Sequence, residues 1–160
     1  MLLGAAASIA VAAAPPIPVD VAARVLAEAH LAAQEDGGRL WGVSLDGPLL
    51  LVDPETRFAV GNRADGKGVL TAQGGAFAGT LPGSVVVANT STEWNDVRWT
   101  MVMWPSLGDA LVQRRRLLMH ECWHRIQAGL GFPAANGRTP RIWREPLFFL
   151  PRRHRSSSTA

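Results

Sequence analysis

Hydrophobic and polar residues recur with two different periods along the chain. In residues 19–35, VDVAARVLAEAHLAAQE, the positions Val21, Val25, Leu26 and Ala29 fall at helical spacing. Asp20 is a candidate N-cap and Gly37-Gly38 a stop, so the pattern predicts a helix between them. His30 lies on it as a partly exposed residue. Short apolar runs follow: RLWGVSL and PLLLVD on either side of Asp46-Gly47, then RFAVGN. Asp-Gly between two such runs predicts a β-hairpin, with RFAVGN as a third strand. Residues 61–83 carry Gly66, Gly68, Gly74 and Gly75 without the strand-to-helix context of a phosphate-binding glycine loop, and read as loop. SVVVANTSTEWNDVRWTMVMWP predicts two strands, 84–90 and 97–104, joined by a polar connection. Trp94, Trp99 and Trp104 gather there and read as core.

The longest helical pattern runs from Ser106 to Leu130. Ser106 with Asp109 resembles a capping box, with Asp in place of Glu or Gln. No Pro or Gly interrupts Asp109 to Ala128, and Gly129, Gly131 and Pro133 end the helix. The succession predicts an α+β fold: a small antiparallel sheet of hairpins packed on an N-terminal helix and a long later helix.

Composition sets the scale. The 160 residues are 48% hydrophobic with 16 Gly and 11 Pro, which suits one turn-rich domain, placed at residues 15–150. Residues 1–14, before PPIPVD, are apolar and uncharged and offer small-x-small sites such as Ala10-Val11-Ala12, the pattern of an export signal. The run is too short and Ala-rich for a stable membrane span. Residues 151–160 read as a basic disordered tail.

Charge is uneven. Residues 1–109 hold 6 basic and 11 acidic side chains, whereas residues 110–160 hold 10 Arg and 2 Glu. No aromatic residues are interleaved with those arginines in the manner of a nucleic-acid reader, so the excess reads as a solvated basic surface.

The candidate chemistry lies in RLLMHECWHRIQAGLG, residues 116–131. On a helix, His120 and His124 share a face one turn apart, where two imidazoles can reach one metal ion. Glu121 stands on the same flank, while Leu111, Leu118, Cys122 and Ile126 form a separate apolar stripe on the other side. Cys122 is the single cysteine, which excludes an internal disulfide and a Cys-rich metal site; it reads as a small buried apolar residue.

With Leu117, Leu118, Cys122, Trp123 and Ile126 around H-E-x-x-H, residues 107–130 resemble the active-site helix of the zinc metallopeptidases known as zincins. Arg125 departs from the uncharged residue usual there. Gln127 and Leu130 stand where the metzincin branch needs Gly and His, which excludes that branch. The likeness is to the gluzincin, thermolysin-like branch, whose third ligand is a Glu from a later segment. Glu145 is the single acidic residue after His124, with His154 as the fallback. The resemblance implies Zn²⁺ held by His120, His124 and Glu145, Glu121 as general base, and a peptide or protein substrate aligned along the strand at Arg98 to Trp104. It also implies an oxyanion stabiliser; the chain has no Tyr, which leaves His30 or an Arg. Two rival expectations are a non-catalytic, degenerate zinc binder and a metal-free exported interaction domain.

Overall fold

Helix α1, Val19–Asp36, forms where Val19, Ala22, Val25, Leu26, Ala29 and Ala33 make one buried stripe. It ends as expected at Gly37, whose N–H reaches Ala33 O at 3.0 Å. Its N-cap is Pro18 rather than Asp20. Asp20 stands inside the first turn instead, where a carboxylate suits the helix dipole and pairs with Arg24 at 3.1 Å. The computed structural model describes residues 17–132. The export segment 1–14, Glu145, His154 and the tail 151–160 lie outside the described residues.

Six strands follow: β1 Leu49–Val52, β2 Phe58–Gly61, β3 Thr71–Gln73, β4 Ala76–Thr80, β5 Thr90–Trp94 and β6 Val97–Met103. They form one sheet in the order β3-β4-β2-β1-β6-β5. All neighbours are antiparallel except β1 and β6, which pair in parallel from Leu49↔Thr100 to Val52↔Met103. The architecture is thus α+β with a mixed sheet, where the sequence suggested a wholly antiparallel one.

LLLV in β1 is buried along its whole length because both faces of the sheet are covered. Leu49 and Leu51 join Val60, Ala78 and Val102 against α1 and the later helix. Leu50 and Val52 face the other way, into a second layer with Leu70, Leu81, Trp94, Trp99 and Met101. Trp94 and Trp99 are core residues as expected, and Trp99 Nε1–H donates to Trp94 O at 3.2 Å.

Three expectations are corrected. First, Asp46-Gly47 joins no two strands: residues 39–45 carry none. The carbonyls of Leu45 and Asp46 accept instead from Arg125 Nη2, both at 2.8 Å, so a side chain takes the place of a strand neighbour. Secondly, residues 61–83 contain the β3–β4 hairpin, turned by Gly74 and Gly75 at φ 56° and 82°. Two successive positive φ values are what a tight hairpin needs and what Gly-Gly provides. Thirdly, the strand expected at 84–90 begins only at Thr90, and the supposed polar connection is β5 itself, turned at Asn95-Asp96 with φ 48° and 63°. Val85 and Val87 pack on the second core layer as a covering loop. Arg57 satisfies that loop's carbonyls, donating to Leu81 O, Pro82 O and Val85 O.

A buried carboxylate pins the turn of β5 and β6. Asp65 accepts from Leu70 N at 2.7 Å, Lys67 N at 3.0 Å and Asn95 Nδ2 at 2.7 Å. Burial alone would raise its pKa, but these donors together outweigh burial and lower it from 3.8 to about 2. A depressed native pKa adds stability that is complete above the unfolded value and is lost as pH falls through the native one. Chemical denaturation across pH 5 to about 2 should therefore show the unmodified chain losing on the order of 2 kcal/mol relative to Asp65→Asn. Parallel pH curves for the two proteins would refute that role.

The second helix, α2, spans Leu111–Gln127 and continues as one 3-10 turn, Ala128–Leu130. Its start is later than Ser106, which closes a separate 3-10 turn, Trp104–Ser106. The N-cap is Ala110 without a side-chain cap, so the capping box does not form. α2 packs against α1, β5 and β6. Arg114 grips Glu28 of α1 through two bonds of 2.9 and 3.1 Å, and Arg115 reaches Glu35 at 2.7 Å. No helix among the described residues is long and apolar enough to cross a membrane.

Candidate metal centre

Leu118 and Cys122 are buried on the side of α2 that faces the core, as the stripe predicted, while Leu111 at the helix start is half exposed. The opposite side carries His120 and His124. Their Nε2 atoms converge to 3.1 Å, with the rings 88° apart. Two nitrogens bound to one tetrahedral Zn²⁺ at about 2.0–2.1 Å stand roughly 3.3 Å apart, close to the spacing of this pair. Glu121, between the two histidines in sequence, is 5% exposed, and its Oε2 has no hydrogen-bond partner among the described residues. A buried carboxylate oxygen without a partner is costly unless something polar is brought to it.

The electrostatics favour an uncharged His120. Burial, with His124 beside it, holds the His120 imidazole below its ordinary value, which favours the uncharged ring. Burial pushes the Glu121 carboxyl up, against a smaller opposing pull from His124. Burial also raises Cys122, so it remains a thiol in the core and not a thiolate ligand.

Around this pair the last turns of α2 are braced. His124 Nδ1 lies 2.8 Å from Gln127 Oε1, and Gln127 is itself buried. Trp123 sets its ring 5.3 Å from that of His124 and packs on Trp41 and Phe132 at 5.6 and 5.9 Å. Arg125, the departure from the zincin pattern, runs under the Leu45–Gly47 loop. A Cβ on Gly47 would lie 2.5 Å from Arg125 Cζ, so a larger residue there would push the guanidinium aside. Between this loop and α1 is a cavity of about 10 Å³, room for one water.

Of the residues singled out in the sequence, His120 and His124 come together, and His124 acts on the Glu121 carboxyl electrostatically. His30 does not join them: its Nδ1 lies 2.9 Å from Asp46 Oδ2, at the loop held by Arg125. Among the described residues no third His, Cys, Asp or Glu completes a metal-binding group. The strand expected to offer a free edge, β6, is paired on both sides, and the edge beside it is β5. Gln127 was missed as a site residue, although its position three after His124 puts it on the same helix face. Comparison with known protein families, curated proteins and solved structures gives no match for this chain.

Proposed function

We propose that this chain is a zinc-dependent peptidase of the H-E-x-x-H kind. The observation that carries the reading is the convergence of His120 and His124 Nε2 to 3.1 Å on the helix that also carries Glu121, whose Oε2 is buried without a partner among the described residues. In this reading His120 and His124 supply two zinc ligands and Glu145 the third. A zinc ion held there would contribute Lewis acidity, acidifying a water and polarising a carbonyl. Glu121 is the general base: its raised pKa, produced by burial, makes it a better proton acceptor than an exposed carboxylate. β5, Thr90–Trp94, is the outer strand of the described sheet, the edge to which an extended peptide would add, and α2 packs against that strand.

Metal content tests the reading directly. Elemental mass spectrometry of untagged protein should give about one zinc per chain. The metal should be lost in His124→Ala and His120→Ala and reduced in Glu145→Ala. A chain that retains no zinc after loading and removal of the excess would end the peptidase reading.

A further inference from the structure

We propose that Gln127 is a positioning residue for His124: it holds the imidazole as the Nδ1–H tautomer and thereby aims a bare Nε2 lone pair at the metal position. The inference rests on the reading of His120 and His124 as a metal site and extends it to a residue that no part of the H-E-x-x-H pattern includes.

The geometry is directional. Gln127 Oε1 sits 2.8 Å from His124 Nδ1, a full hydrogen bond. An amide oxygen can only accept, so Nδ1 must carry the proton. A neutral imidazole has one ring proton, and Nε2 is then left with its lone pair exposed. The second contact of the ring agrees. His124 Nε2 lies 3.1 Å from His120 Nε2, and with the first nitrogen bare the second donates its N–H to it. Without metal the contacts then run in one sense, from His120 Nε2–H to His124 and from His124 Nδ1–H to Gln127; to bind one ion through both Nε2 atoms only His120 has to move its proton off Nε2, because that of His124 already sits on Nδ1.

Gln127 is also well placed to hold still. It is 8% exposed in the last turn of α2. Its backbone carbonyl accepts from Phe132 N at 3.2 Å, as the chain turns back through Gly131 at φ 81°. Phe132 in turn packs on Trp123, whose ring meets that of His124. The imidazole is therefore fixed at Nδ1 by Gln127, at Nε2 by His120 and at one edge by Trp123. Outer partners of this type set both the tautomer and the orientation of a metal-binding His, and their loss costs about 10–100-fold in metal affinity.

The decisive readout needs no metal. In the zinc-free full-length chain labelled with ¹⁵N-histidine, long-range ¹H–¹⁵N correlation reports the tautomer, with His124 assigned by its absence in His124→Ala. We expect His124 as Nδ1–H in the unmodified chain. Gln127→Leu, which keeps the bulk and removes the acceptor, should shift it toward Nε2–H, and Gln127→Glu should restore Nδ1–H. Competition with a chromogenic chelator should show the zinc Kd rising about 10–100-fold in Gln127→Leu and recovering to within a few-fold in Gln127→Glu. An Nε2–H tautomer in the unmodified chain would mean that the Gln127 amide donates, and would overturn the inference without any variant. An unchanged tautomer and Kd in a folded Gln127→Leu would overturn it equally. If the unmodified chain binds no zinc, the peptidase reading falls, and the tautomer still decides whether Gln127 sets the His124 ring.

Discussion

Glu121→Gln is expected to lower peptide hydrolysis by about 10²–10⁴-fold while leaving the zinc content of the protein unchanged. The substitution keeps the shape of the side chain and removes its capacity to take a proton. It does so in a carboxylate that is 5% exposed and has one oxygen without a partner among the described residues. Because burial disfavours the charged form of Glu121, an amide there should cost little fold stability, and denaturation curves without metal should nearly coincide. The measurement is turnover of a peptide library by zinc-loaded protein, with metal content determined on the same samples. A variant that binds zinc and keeps its rate would remove Glu121 from the role of base. Zinc binding without hydrolysis in either protein would identify a metal site that has no turnover.

The second large effect is on the fold. Trp99→Ala should destabilise the chain by about 3–5 kcal/mol, read as a shift in the urea midpoint. That is a large part of the roughly 5–15 kcal/mol that holds a typical domain together. Trp99 is fully buried in β6, between the two strands that flank it, and the indole lies in the layer formed by Leu50, Met101 and Trp94. Trp99→Phe should cost less, because most of the volume stays; part of the cost is the loss of the N–H that Trp94 O accepts. Val86→Ala, at a position 77% exposed, should stay within about 0.5 kcal/mol of the unmodified chain. If Trp99→Ala were as mild as Val86→Ala, the second core layer would not be packed as described.

The two helices and the central strands were legible in the sequence because burial on one stripe, or on both faces, leaves a period. Leu118 and Cys122 marked the inward side of α2, and LLLV in β1 marked a strand covered twice. The hairpin of β3 and β4 left no such mark. β3 is exposed at every position, and its partner strand carries Ala and Gly where an apolar period would be read. The chain from Ser84 to Asn89 misled in the opposite sense, because valines that cover a core look like valines that build a strand. What separates them is Arg57, far away in sequence, whose guanidinium satisfies the loop carbonyls. The same holds for Asp46-Gly47 and Arg125. The Gly37 stop of α1 was readable, but a distant side chain taking a ladder's place was not. At the site, His120 and His124 were legible because one helical turn brings them together. Gln127 obeys the same geometry and was passed over because it belongs to no motif.

The parallel pairing of β1 with β6 sets the order in which the molecule assembles. Leu49 and Thr100 meet only after a loop of roughly fifty residues has closed, and such distant contacts slow folding because their closure entropy is met before any contact repays it. The imidazoles of His120 and His124 wait for no such event, since a helical turn forms in about a microsecond or less. The two nitrogens can therefore meet on a nascent α2 while the sheet is still open. α2 then rests on the neighbouring β5–β6 hairpin and on α1, and the pairing of β1 with β6 joins that local unit to the rest of the sheet.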